Sequence, residues 1–473
     1  MPTRRQFSAL VFLLAFGGAA TEPAPAQDDQ ASAKIPESIS RALSSSDHRP
    51  VHIVYVHGIN QIGAGDSSTL RNAICGKLHL CNKKDWKYAG SDFPGKGEFA
   101  PDSDPPKLKY LGNDIWKTRD EWWHAAPFVA HYVIRLKGYS SPLVVDEINW
   151  WPLVLALKCE YVVSSEASLA GPNKGLLQVC SRKSSQDPDN IGRFYPWLSE
   201  TVADRLAKMP AHAVLINRNL KNGLEDWGFS DAFIGVGPLA GIIRDGLRQL
   251  MVESASFDPN GADDSARMRY DWKSRLASGN TTDQTFIGVT HSLGSYLLFN
   301  TFNLENPPFK AAAELSQPAE LLQSEQAQED GAIQYFFERM SIIYFFANQL
   351  SLLEFTNLEL TGITGEAAAP ATAAAAPSPR RFNALVSRWG QYRQGLQRRT
   401  NVAGAPPTSA QIVAWNDPSD LLTWLVPQVA GVQVVNLQVR NAIHWFWVFE
   451  SPLGAHDNYA QNKAVLHVMF AKQ

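Results

Sequence analysis

Cysteine is scarce in this chain: four in 473 residues, at Cys75, Cys81, Cys159 and Cys180. So few cannot build the dense framework of a small disulfide-stapled domain. They show no Cys-x-x-Cys spacing and no histidine pair at ligand distance beside them, so no metal site is expected. An excess of one charge is lacking too. Lys and Arg total 43 against 46 Asp and Glu, a formal net charge of -3, and no basic block interrupts the balance. A nucleic-acid partner is therefore not expected. Long apolar runs are also missing. Residues 150–163 are hydrophobic but few, and the run over 232–251 is broken by Arg244 and Asp245. Neither supplies the roughly 20 apolar residues that a membrane-spanning helix needs. No internal repeat is present, which excludes repeat architectures.

The chain does have length, enough to bury a large core, and one decorated domain over 50–473 is the economical reading. Aromatic residues make up 11%, with 14 Trp, which suits a large core or a greasy substrate cleft. Residues 1–26 begin basic, run apolar over 9–16 and end in Ala24-Pro25-Ala26, the pattern of a removable secretory signal. Arg4-Arg5-Gln6-Phe7 resembles a twin-arginine export signal. The expectation is a periplasmic or secreted protein whose mature chain starts near Gln27. Residues 27–49 are polar without periodicity and read as an N-terminal arm. In an oxidising compartment, nearest-neighbour disulfides are expected, Cys75 with Cys81 and Cys159 with Cys180.

Apolar runs alternate with helical patterns in the remainder. Residues 51–56 (VHIVYV), 128–136, 143–150, 341–347, 411–415 and 432–439 read as strands. Near-continuous apolar runs such as 51–56 belong to strands buried on both faces of a parallel sheet. Helices are expected over 67–78, 334–340 and 459–470. Residues 91–106 are rich in Gly, Pro and Asp and read as a loop. Residues 365–379, GEAAAPATAAAAPSP, are a low-complexity tract that cannot bury much apolar area and reads as a surface loop. The irregular helical stretch over 150–282 is a candidate cap.

The stretch 281–302, TTDQTFIGVTHSLGSYLLFNTF, organises the rest. A short β-rich run ends at Thr290, a helical run begins just after Ser292, and Ser292 stands on the corner. A serine raised on such a turn exposes Oγ at the sheet's carboxyl edge, with the following N–H groups facing the reacting carbonyl. Thr290 occupies the first small position of the usual pattern and Gly294 keeps the second. The chain contains no other Ser-x-Gly. After the strand at 51–56 comes the chain's only His-Gly pair, His57-Gly58. Glycine there lets the backbone approach a substrate, which makes Ile59 N–H and Leu293 N–H the expected oxyanion donors.

A serine hydroxyl is a weak nucleophile unless a histidine takes its proton and a carboxylate orients that histidine. The strand at 411–415 runs into Asn416-Asp417-Pro418-Ser419-Asp420, which offers two carboxylates, and His456 lies in a turn-rich stretch near the C-terminus. His291 adjoins the serine and is expected to shape the elbow; His444 sits in an aromatic run typical of a strand or core.

Taken together, the elbow, the upstream His-Gly and the order Ser, Asp, His resemble the α/β-hydrolase superfamily. The resemblance covers the core strands and site loops, leaving 150–282 and 365–379 unmatched. It implies an α/β-hydrolase fold, a mostly parallel sheet flanked by helices with a cap-like insertion. It further implies Ser292 as nucleophile, His456 as base, and Asp420 as acid, with Asp417 as the alternative. No cofactor is implied. The expected substrate is a small ester with an apolar acyl group. Contact with a membrane surface and the oligomeric state are left open. Alternatives are a non-catalytic hydrolase-fold protein that binds a ligand or partner, and an acyltransferase.

Overall fold

The structure is a computed structural model that describes residues 38–46, 48–59, 66–81, 86–88, 107–110, 113–116, 127–151, 153–154, 157, 230–237, 240–256, 284–302, 330–350, 381–399, 410–441, 444–445, 449–450 and 452–470. Its first elements are helix α1 (Ile39–Ser45), strand β1 (Val51–Val56) and helix α2 (Ser68–Gly76). Short strands β2 (Trp86–Tyr88), β3 (Lys107–Tyr110) and β4 (Asn113–Trp116) precede β5 (Phe128–Ile134) and β6 (Leu143–Asn149). Helices α3 (Ser230–Val236) and α4 (Ala240–Ser256) follow, then β7 (Thr285–His291) and α5 (Gly294–Asn300). The last part holds β8 (Met340–Phe346), α6 (Arg381–Arg399), β9 (Ala410–Asn416) and β10 (Val432–Gln438). It ends with the small pair β11 (His444–Trp445) and β12 (Phe449–Glu450), helix α7 (Pro452–Asp457), a 3-10 turn at Tyr459–Gln461 and helix α8 (Lys463–Met469).

Eight strands form one sheet in the order β10-β9-β8-β7-β1-β6-β5-β2. Six of them, β10, β9, β8, β7, β1 and β6, run parallel, whereas β5 is antiparallel to β6, and β2 to β5. Every residue of β1, β6, β8 and β9 is buried, as in a sheet covered on both faces, including the polar residues His52, Asp146, Glu147 and Gln411. Adjacent residues of β6 reveal the two covers, because successive side chains point to opposite faces. Asp146 accepts a hydrogen bond from Ser254 Oγ of α4 at 2.6 Å. Glu147 accepts one from the main-chain N–H of Ser67, at the start of α2, at 2.9 Å. The protein is thus a layered α/β structure with helices on both sides of a mostly parallel sheet.

Strand order also locates the site. From β1 the chain passes through β2 and β5 to β6 on one side, while β7 is followed by β8, β9 and β10 on the other. The connections diverge at β1 and β7, and ligands of open α/β sheets bind in the crevice at the carboxyl ends of such strands.

The structure departs from the sequence expectations at several places, among them the helix expected over 459–470, which Asn462 divides into a 3-10 turn and α8, and Ser292, which is fully buried rather than exposed. Within the arm expected over 27–49, α1 forms, capped by Ser38 Oγ, which accepts from Arg41 N–H at 3.1 Å. Its Ile39, Ala42 and Leu43 are buried in the core, a short apolar face that polar neighbours conceal in the sequence. Within the stretch read as a cap over 150–282, α4 lies on the sheet, with Ile243, Leu247, Leu250 and Met251 buried. Helix α6 had no counterpart in the expectations; its anchor is Trp389, fully buried, whose indole N–H donates to Met340 O at 3.1 Å. His456 stands on the short helix α7, started by Pro452, whose fixed φ suits a first helical turn. The Cys75–Cys81 disulfide is formed, with Cα atoms 4.3 Å apart. Residues 1–26, 91–106, 365–379, Cys159 and Cys180 lie outside the described residues.

Candidate active site

The carboxyl ends of β1 and β7 meet so closely that only particular residues fit. Ser292 holds a left-handed backbone at φ 54°, uncommon for a residue with a side chain. A Cβ added to Gly58 would lie 2.7 Å from Ser292 Cβ, and one added to Gly294 would lie 2.3 Å from Val56 O. Both glycines are therefore dictated by the approach of the two chains. Ser292 N–H donates to Phe346 O of β8 at 2.9 Å, and Ser292 O accepts from Ser295 Oγ at 2.9 Å, so the turn is bonded on both sides. Thr290 accepts close packing fully buried; among the described residues its Oγ1 has no hydrogen-bond partner.

Among the described residues the main-chain N–H groups of Ile59 and Leu293 meet no acceptor. One donor follows Gly58, which packs on Ser292, and the other follows Ser292 itself; main-chain donors left free at that point are what an oxyanion site needs. His57 fixes the turn that delivers Ile59. Its ring stacks on Trp150 with centroids 5.1 Å apart, its Nδ1–H donates to Gly58 O at 2.9 Å, and its own carbonyl accepts from Trp150 Nε1 at 3.2 Å. Burial pushes the His57 imidazole down to about 4, against an opposing hydrogen bond to Gly58, so it is neutral near pH 7.

Asp420 and His456 are brought together. Nδ1 of His456 lies 3.0 Å from Oδ1 of Asp420 and 3.1 Å from Oδ2. A carboxylate can only accept, so Nδ1 carries the hydrogen, and in the neutral ring Nε2 keeps the lone pair. Asp420 also accepts from Leu422 N–H at 3.0 Å, from Tyr459 OH at 3.2 Å and from Thr423 Oγ1. Burial pushes its carboxyl upward, but the His456 bond and charge, with the Thr423 and Leu422 bonds, outweigh this and hold it below the usual carboxylate range.

Asp417 is placed differently. Its Oδ1 accepts from Ser419 N–H at 2.8 Å, its Oδ2 accepts from Asn441 N–H, and its own N–H donates to Tyr459 OH at 2.8 Å. It caps the turn after β9 and ties it to the segment after β10. His291 ends β7, and its Nε2–H donates to His456 O at 2.9 Å; the two imidazoles meet edge to face with centroids 4.9 Å apart. Burial, then the neighbouring His456 charge, lowers His291, which keeps it a neutral donor. His444 lies in the β11 strand.

Sequence reasoning missed the closest partner of the serine. Gln349 Nε2 donates to Ser292 Oγ at 2.7 Å, and among the described residues no hydrogen bond joins Ser292 Oγ to His456. The available signal was position: Asn348-Gln349 is the first polar pair beyond the apolar run of β8, at the same sheet edge. Among the described residues no group of three or more His, Cys, Asp or Glu could hold a metal ion. Nor is any helix among them long and apolar enough to cross a membrane. Compared with protein-family models, curated proteins and solved structures, the chain matches none.

Proposed function

We propose that the protein is an exported serine hydrolase of the α/β-hydrolase kind, cleaving carboxylic esters through an acyl-enzyme. One observation carries the reading: Ser292, left-handed and packed on Gly58, shares the carboxyl edge at β1 and β7 with the hydrogen-bonded Asp420–His456 pair. In the reaction Ser292 Oγ bonds to the ester carbon while its proton passes to Nε2 of His456, and the carbonyl π pair moves onto oxygen. The N–H groups of Ile59 and Leu293 receive that oxyanion. Collapse re-forms the carbonyl, and His456 returns the proton to the leaving alkoxide. Water then repeats the sequence on the acyl-enzyme. Asp420 keeps Nδ1 protonated and stabilises the imidazolium. An apolar acyl group suits a chain so rich in aromatic residues, and export is supported by the pattern of residues 1–26.

A second reading, a hydrolase-fold protein that binds without turnover, is favoured by the complete burial of Ser292 and its bond to Gln349. A fluorophosphonate probe separates the two. Stoichiometric labelling of Ser292 supports the hydrolase, and inertness of the folded protein supports the binder. A labelled protein that passes its acyl group to an alcohol faster than to water is an acyltransferase.

A further inference from the structure

We infer that the side-chain amide of Gln349 is a catalytic group of this site, a third oxyanion donor beside the N–H groups of Ile59 and Leu293. The inference rests on the reading of Ser292 as an ester-cleaving nucleophile. Its starting point is the way the loop after β8 is fastened. Ala347 holds a left-handed backbone at φ 52°, which turns the chain back toward Ser292. Asn348 then locks the loop from several sides. Its Oδ1 accepts from Leu350 N–H at 3.1 Å, its Nδ2 donates to Trp424 O at 2.9 Å, and its carbonyl accepts from Trp424 N–H at 2.9 Å. Gln349, between these anchors, is only 4% exposed. Its side chain is buried and springs from a fastened main chain, which favours the preorganisation that electrostatic stabilisation demands.

The chemistry follows from counting hydrogens. A carboxamide nitrogen carries two, and that of Gln349 uses one on Ser292 Oγ. Among the described residues the other has no acceptor. A buried donor left unmade is costly, so a partner at this point is worth more than an ordinary surface bond. Because the amide donates to Oγ, the Ser292 hydroxyl hydrogen stays available to His456. When Oγ bonds to the ester carbon, the former carbonyl oxygen is attached to that same carbon. A nitrogen 2.7 Å from Oγ is therefore within reach of the oxygen that gains the charge, with an N–H to spare. No proton leaves Gln349: the Oγ proton goes to His456, and the amide only donates hydrogen bonds.

The test uses the mature protein with p-nitrophenyl butyrate as substrate and a trifluoromethyl ketone as inhibitor, whose adduct carries an oxyanion. Gln349→Met keeps the length of the side chain and removes both donors; Gln349→Ala removes the packing as well. Both variants are expected to lose about 10²–10³-fold in kcat, with KM changed little, as for loss of one oxyanion donor. The ketone's inhibition constant should rise in parallel with the fall in kcat/KM. A purely structural role predicts that Gln349→Met behaves as wild type, and that result overturns the inference. So does a rise in activity, which would mean that the amide only restrains Oγ, or a loss of kcat with inhibitor affinity unchanged. If Gln349→Ala does not fold, Gln349→Met alone carries the comparison. Wild-type protein that is neither labelled by fluorophosphonate nor active removes the hydrolase reading, and the Gln349 role with it. Wild-type labelling with an unaffected Gln349→Met removes the Gln349 role alone.

Discussion

Nδ1 of His456 lies about equally far from both carboxylate oxygens of Asp420, at 3.0 and 3.1 Å, while Asp417, three residues earlier, turns its oxygens to the main-chain N–H groups of Ser419 and Asn441. The two aspartates therefore separate into one that orients an imidazole and one that fastens a loop. Asp420→Asn should lower kcat by up to about 10⁴-fold, because an amide can donate to Nδ1 and so stabilise the wrong tautomer. Asp417→Asn should keep kcat but lose about 1–3 kcal/mol of stability, since a charged acceptor of two buried N–H groups is weakened. Steady-state rates and denaturant unfolding of both variants decide this. Reversed rates would move the acid to Asp417.

Ser292→Ala should abolish ester turnover down to the residue supplied by binding and the oxyanion donors, and His456→Ala should match it, because base and nucleophile act as a unit. The left-handed backbone adds a second expectation. Ser292→Gly should be more stable than Ser292→Ala by about 1 kcal/mol, since glycine carries no side-chain penalty at φ 54°. Equal stability of the two variants would remove the strain argument. Full turnover in a folded Ser292→Ala would remove the enzyme.

Much of this architecture was legible because burial on both sheet faces leaves short runs dominated by apolar residues. Residues 51–56 and 143–150 announced β1 and β6 within a residue of their ends. The strand-to-helix turn at Ser292 was legible from small residues around one serine, and the place after a strand offered Asp417 and Asp420 together without separating them. Elements whose partners are distant in sequence were not. The buried face of α1 is a few residues long, and Ser40 Oγ reaches Phe470 O at 2.8 Å across nearly the whole chain. Gln349 falls in the same class. Its role depends on the turn at Ala347 and on Trp424, neither of which carries a local pattern that names its partner.

Gly294→Ala should be more damaging than Gly58→Ala to folding. The added Cβ at Gly294 would meet the main-chain oxygens of Val56 and His57 at 2.3 and 2.7 Å, and a backbone in a buried strand end cannot step aside. The added Cβ at Gly58 meets Ser292 Cβ at 2.7 Å, so the strain falls on the elbow itself. Gly58→Ala should fold but lose turnover, whereas Gly294→Ala should lose several kcal/mol, on the order of 3, as overpacked cores do. Thermal unfolding and fluorophosphonate labelling read the two outcomes, and a stable, fully labelled Gly294→Ala would contradict the packing described.

Asp146 is a buried carboxylate with no part in the proposed reaction. Asp146 on β6 accepts from His52 Nδ1 on β1 at 2.7 Å, from His131 Nδ1 on β5 at 2.6 Å and from Ser254 Oγ on α4 at 2.6 Å, all of them fully buried. Burial pushes its carboxyl up, but the charges and hydrogen bonds of His52 and His131 outweigh burial and hold it well below its ordinary value of 3.8. The folded state thus binds this proton more weakly than the unfolded chain does. Its contribution to stability is complete above the ordinary carboxylate value and is lost as pH falls toward the depressed one. Asp146→Asn, which turns an amide N–H toward donors that need an acceptor, should cost about 3 kcal/mol at pH 7. The gap between wild type and variant should narrow steadily once the pH drops below the ordinary value. Urea unfolding of both proteins across that range measures it, and a gap independent of pH would show that the carboxylate charge is not what holds these three elements together.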